Sequence, residues 1–276
     1  MVSTHITRAW LRALLAFLPL YGTASAVAAD LKITVTNDQP SGGFAFSPVW
    51  LGAQDGTYQT FTSGTAVSPA LQAVAELADT SLISAAFAGH GSETTVGSAP
   101  YGPGSSASGI LRVADPAVSR YLDFASMVVP SNDFFFANQD PKTYQLFDSA
   151  GRFTGPLTIQ IYGGNVWDAG SEVDNINFGA AFVVGDNIHD HVAANGLVSR
   201  VFGGPNDFSS YLNSINGKAT PYGYDISHII TSNDLIATIT VQSVPEPSTL
   251  VMFGIGAIGL MIGARRKALA KRPIAL

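Results

Sequence analysis

Leu31, Ile33 and Val35 alternate with Lys32, Thr34 and Thr36, so that every second side chain in this stretch is apolar. A period of two places the apolar set on one face of an extended segment and predicts a half-buried β-strand. Leu235, Ala237, Ile239 and Val241 alternate with Ile236, Thr238 and Thr240 and predict a matching strand near the other end. Between them, Ser108 to Val113, Tyr121 to Val128, Leu157 to Tyr162 and Gly179 to Val184 are short segments bounded by Gly, Pro or Asp and read as further strands. Strands at both ends favour one closed domain over residues 30–243. The expected fold class is mainly β: an antiparallel β-sandwich with long loops and one or two short helices.

The helical period appears at Ser68 to Ala78. Ser68 can cap, Pro69 suits the first helical position, and Leu71, Val74, Ala75 and Ala78 share one face. A second short helix follows, with Asp79 or Thr80 as its cap and Leu82, Ile83, Ala86 and Phe87 apolar. The glycine-rich stretch Gly89 to Gly109 lacks the lysine and the spacing of a phosphate-binding loop and is expected to be a surface loop. No period of twenty to fifty residues recurs, so no repeat array is expected.

The two ends have a different pattern. Arg8 and Arg12 flank the apolar run Ala13 to Leu20, and Ala24, Ser25, Ala26, Val27, Ala28 and Ala29 follow, which reads as a secretory signal over residues 1–29. Cleavage after Ala26 or after Ala29 fits equally, and an uncleaved N-terminal anchor is the alternative. At the other end, residues 244–248 (Val-Pro-Glu-Pro-Ser) precede an apolar run over 249–264, and the basic tail 265–276 begins with Arg265, Arg266 and Lys267. The run is short for a membrane span, but positive charge directly after it is retained on the cytoplasmic side and marks a stop.

This three-part tail over 244–276 resembles a PEP-CTERM sorting signal: a Pro-Glu-Pro motif at Pro245, Glu246 and Pro247, a short transmembrane helix, then a basic cluster. The resemblance implies processing near the motif by a membrane-embedded transpeptidase of the exosortase type in a Gram-negative bacterium. The destination it implies is the cell surface or the extracellular matrix.

Removing both ends changes the electrostatics. Of 14 Lys and Arg against 20 Asp and Glu, two bases lie in the leader and five in the tail, while only Glu246 among the acids leaves with them. The remaining net charge is near −12, which disfavours nucleic acid and anionic membrane surfaces and suits a cation. With no cysteine, the domain has neither a disulfide nor a thiolate metal site.

Several segments of the ectodomain together resemble the spondin domain of extracellular matrix proteins such as F-spondin and mindin, also found in bacterial exported proteins. They are Phe46-Ser47-Pro48 leading into a strand, Ser68 to Glu76 (Ser-Pro-Ala-Leu-Gln-Ala-Val-Ala-Glu), Ser126 to Asp133 (Ser-Met-Val-Val-Pro-Ser-Asn-Asp) and Val166 to Glu172 (Val-Trp-Asp-Ala-Gly-Ser-Glu). The resemblance implies a calcium ion held by Asp133, Asp168 and Glu172. Glu172 departs from the family, which has aspartate there.

The residues make chemical sense by themselves. Calcium takes six to eight oxygens, and loop carboxylates at one end of a sandwich can converge on it with carbonyls and water. Ala169, Gly170 and Ser171 form a small flexible turn between Asp168 and Glu172. Asp174 and Asn175 lie near enough to add ligands, and Asp140 and Asp148 sit in the intervening loop. Trp167 and Phe134 are expected to support these loops from the core. His189 and His191 could offer two imidazoles to zinc, although Asn187 to Asn195 reads as an exposed turn.

The chain contains no Gly-x-Ser-x-Gly elbow and no thiol nucleophile. Asp133 and Asp168 as a glycosidase pair would need a sugar cleft and one raised carboxyl pKa. The expectation is therefore a non-enzymatic adhesion or binding module for an extracellular protein. A lectin-like binder of exopolysaccharide is the alternative, suggested by Tyr101, Tyr222 and Tyr224. A hydrolase of matrix polymer comes third.

Overall fold

A computed structural model describes residues 28–244 of the chain. The leader up to residue 27, the residues Pro245, Glu246 and Pro247, the apolar run 249–264 and the cluster Arg265, Arg266 and Lys267 lie outside the described residues. Among the described residues, no helix is long and apolar enough to cross a membrane.

In chain order the elements are β1 (Ala29–Asn37), β2 (Ala45–Phe46), β3 (Val49–Gln54), α1 (Pro69–Leu77), α2 (Ser81–Phe87), β4 (Gly91–Val96), β5 (Ser106–Val113), β6 (Tyr121–Val129), β7 (Phe134–Ala137), β8 (Leu157–Tyr162), β9 (Val166–Asp168), β10 (Ser199–Arg200), α3 (Ser209–Ile215) and β11 (Leu235–Ser243). A single 3₁₀ turn, Gly163–Asn165, joins β8 to β9. The fold is mainly β, as the short alternating runs predict.

One sheet has the order β5-β1-β11-β8 and the other β10-β9-β7-β6-β3-β4, with β2 also pairing with β6; neighbours are antiparallel. In the first sheet the period of two is obeyed: Leu31, Ile33 and Val35 are fully buried and Lys32 is exposed. It fails at the start of β11. A register shift between Leu235 and Ala237 buries Ile236 and Ala237 in succession and leaves Leu235 partly exposed, the effect of a bulge on side-chain direction.

The second sheet is covered on both faces. Phe134 and Phe136 of β7 and Val49, Leu51 and Ala53 of β3 pack between the sheets with Leu31, Ile33 and Ile239. Phe135, Ala137 and Trp50 point the opposite way, against Leu71, Val74 and Ala75 of α1 and Ile83 and Phe87 of α2. Successive side chains of a strand point to opposite faces, so a strand buried on both sides reads as an unbroken apolar run such as Phe-Phe-Phe-Ala.

The capping of α1 follows its sequence. Ser68 Oγ accepts from the Leu71 amide at 3.3 Å, Pro69 occupies the first turn, and Ala78 closes the helix in the left-handed region. Ser68→Ala should cost about 1 kcal/mol by orphaning that amide. In a domain of this size the melting midpoint should fall by about 2–4 °C, as thermal unfolding would measure.

Three expectations are corrected. Gly179 to Val184 is no strand: Gly179 and Phe182 adopt positive φ, Ala181 makes a single bridge to Ser131, and the Gly179 and Ala180 amides donate to the Asp186 carboxylate. The stretch after Gly89 is not all loop, because Gly91–Val96 pairs with β3 over its whole length. As an edge strand it has one face to bury and lacks an apolar run. A third helix, α3, is present; it was hidden by its length, although Tyr211, Leu212 and Ile215 are its buried face.

Candidate metal centre

Asp133 and Asp168 are distant in sequence, and the ladder between β7 and β9 joins them. Phe134 is the register partner of Asp168, and the Ala169 amide donates to the Asp133 carbonyl at 3.2 Å. Past β9 the chain reverses at Gly170, whose φ is +66° and where a Cβ would lie 2.8 Å from the Leu197 nitrogen. Glycine alone fits that turn. The reversal wraps the chain around one oxygen of Asp133: Oδ2 accepts from the Ser171 amide at 2.8 Å, the Ser171 hydroxyl at 3.0 Å and the Glu172 amide at 3.0 Å. Three donors converge on Oδ2, so Asp133 organises the loop through one oxygen and leaves the other free of it.

That other oxygen, Asp133 Oδ1, is buried without a hydrogen-bond partner, and so is Asp168 Oδ1. With Asp174 they form a group whose ligand atoms all lie within 4.8 Å of one another. Asp174 sits on the exposed side of this group. The loop carrying it is held by Asn132, whose Oδ1 accepts from the Asn175 amide at 3.1 Å and from the Tyr211 hydroxyl at 2.6 Å. Asn132 Nδ2 donates to the Phe178 carbonyl at 2.9 Å, so α3 supports the centre although it contributes no ligand.

The electrostatics are unfavourable without a counter-charge. Burial first, and then the charges of Asp133 and Asp174, hold the Asp168 carboxyl far above the ordinary carboxylate range. Withdrawal from water and the charge of Asp133 push Asp174 up to about 7. Among the described residues, no cationic side chain relieves either group. Such a cluster can hold protons or a hard cation; three carboxylates with carbonyls and water are the donor set that calcium takes.

Glu172, placed with Asp133 and Asp168 by the sequence resemblance, gives the centre its backbone amide, while its carboxylate turns elsewhere. It joins Glu76 and His191 in a second group of ligand atoms within 4.8 Å of one another. The reversal at Gly170 separates the two carboxylates. Asn175 is occupied locally, Oδ1 accepting from the Asn177 amide. Asp140 caps the Lys142 amide and Asp148 pairs with Arg152 at 3.0 Å. His189 joins neither group, so the imidazole pair does not form. Glu76 was missed because it reads from sequence as one more acid on a helix.

Trp167 and Phe134 are buried supports: Trp167 packs on Phe61, with the Arg200 guanidinium 4.4 Å over its ring, and Phe134 meets Tyr211 edge-on at 5.4 Å. Tyr101, expected at the surface, is buried and stacks on Phe46 at 4.9 Å.

Among known protein families, the PEP-CTERM protein-sorting motif matches residues 243–267. That span includes Pro245, Glu246, Pro247, Arg265, Arg266 and Lys267. No curated protein matches the chain. The motif marks the chain for export, with a membrane-anchored precursor processed by an exosortase for the cell surface.

Proposed function

We propose that the ectodomain is a spondin-type binding or adhesion module whose loops are fixed by calcium, and that it is not an enzyme. The observation that carries the reading is the pair of buried, unpartnered oxygens, Asp133 Oδ1 and Asp168 Oδ1, beside Asp174. Buried carboxylate oxygens without a donor are costly, and a divalent ion would satisfy them together. Glu172 serves this site through its amide rather than as a ligand. The intended partner is an extracellular protein or matrix component.

A catalytic carboxyl pair is disfavoured by access. Asp133 is fully buried and Asp168 is 3% exposed, and none of the five described cavities is lined by either. The test is a calcium titration of the full-length chain in detergent, by calorimetry and thermal unfolding. One equivalent should bind, and at a hundredfold excess over Kd it should add about 2.7 kcal/mol, raising the midpoint by roughly 5–10 °C. No heat and an unchanged midpoint would remove the calcium reading.

A lectin-like role is favoured by one observation. Tyr222 and Tyr224 line an open cavity of about 480 Å³ with Gln39, Ser41, Pro100 and Pro103. Aromatic and amide groups in one cleft suit a sugar. Glycan-array binding that survives chelation would point to this cavity rather than to a partner recognised through the metal loops.

A further inference from the structure

We infer that Glu76, Glu172 and His191 form a second metal site, separate from the aspartate centre and of a different class: a site for a borderline divalent ion such as zinc. The inference does not rest on the calcium reading. Its three ligands come from three parts of the chain. Glu76 lies in the last turn of α1, Glu172 follows the Gly170 reversal, and His191 is held opposite it by an antiparallel bridge between Glu172 and Ala193 and by the Val173 amide donating to the Val192 carbonyl at 2.8 Å.

Both carboxylates are more than nine-tenths buried: Glu76 is 8% and Glu172 3% exposed. Both face one imidazole nitrogen. His191 Nδ1 lies 2.5 Å from Glu172 Oε1 and 3.5 Å from Glu76 Oε2. That nitrogen carries at most one proton, which serves the nearer carboxylate and leaves Glu76 Oε2 facing the pair. Even a charged imidazolium leaves two ionised carboxylates one negative charge in excess.

A divalent ion between the three atoms would neutralise both carboxylates and take Nδ1 as its nitrogen ligand. Zinc bonds to imidazole nitrogen and carboxylate oxygen at about 2.0–2.2 Å, so the ligand atoms need only small movements. Glu76 Oε1 already accepts from Gln72 Nε2 at 2.7 Å, the kind of outer contact that fixes a metal-binding carboxylate. The His191 side chain is 39% exposed, which gives the ion a way in and leaves room for water as a fourth ligand. Nitrogen in the donor set separates this site from the all-oxygen aspartate centre.

The test uses cobalt(II) as the probe. Full-length chain in detergent, stripped of metal and supplied with excess calcium to occupy any hard site, is titrated with cobalt(II) and then with zinc. Expected is one equivalent of cobalt with visible d–d absorption, displaced by zinc. His191→Ala and Glu172→Gln, checked for native circular dichroism, should each weaken binding by about tenfold or more, Gln72→Ala by a similar factor, and His189→Ala not at all. Absence of cobalt absorption in the wild type, or a His191→Ala chain that binds as the wild type does, would overturn the assignment. The calcium reading would be untouched by either result, since its own titration is separate. If His191→Ala does not fold, His191→Gln replaces it, and equal binding there would overturn the site as well.

Discussion

Asp168→Asn should split the response to calcium, raising the melting midpoint of the calcium-free chain while abolishing the rise that calcium produces. Without metal, Asp168 is a buried acid beside Asp133 and Asp174 that must take up a proton for the chain to fold, and an amide of nearly the same shape is neutral without that proton. With metal, the same change removes a ligand and leaves two carboxylates to hold the ion. Thermal unfolding of both proteins with calcium and with chelator checks all four states. A variant that still gains as much from calcium as the wild type would sink the role of Asp168.

The dependence on pH has opposite signs in the two states. Asp168 and Asp174 both have folded pKa values raised above the usual value near 3.9. Between the unfolded and folded values the native chain binds more protons, so stability falls as pH rises. The calcium-free wild type should therefore become more stable on going from about pH 8 to about pH 5. With calcium present, protons compete with the ion and the same acidification should release it. In Asp168→Asn the first trend should be weaker, since only Asp174 of the pair remains.

Phe136→Ala should be the most damaging single truncation near the centre, at about 3–5 kcal/mol. Phe136 is fully buried, meets Phe46 edge-on at 5.3 Å, and is registered between Ser126 of β6 and Val166 of β9. It holds together the ladders that bring Asp133 beside Asp168. Total stabilities of about 5–15 kcal/mol make this a large share. Urea unfolding at saturating calcium measures it; a loss below about 1 kcal/mol would mean that the core between the sheets collapses to fill the space.

The sequence is most informative where one rule acts alone. β1 and α1 could be read because period two, or a cap followed by period 3.6, was not overridden, and β5, β6 and β8 from the Gly, Pro or Asp residues that bound them. β7 could not, since Phe134 and Phe136 serve one core and Phe135 another. Gly179 to Val184 misled because Ala180 and Ala181 are buried while the Gly179 and Ala180 amides are satisfied by Asp186 rather than by a ladder. At the centre, family resemblance pointed to Asp133 and Asp168, and the β7–β9 register supplies the reason they meet. Glu172 misled for a local reason: four residues from Asp168 it could have reached the same point, but the left-handed turn at Gly170 turns it away. The meeting of Glu76 with His191 had no signal in sequence, because it depends on how α1 lies on the sheet.

The pairing of β1 with β11 brings the two ends of the domain to one corner, where the Val244 amide donates to the Asp30 carbonyl at 2.9 Å. Force transmitted through the sorting tail would thus enter at Ser243, on a strand flanked by β1 and β8. Peeling an interior strand tears two ladders at once. Drag on a protein still tethered to the envelope would be borne by that sheet, leaving the carboxylate loops of the other sheet unloaded.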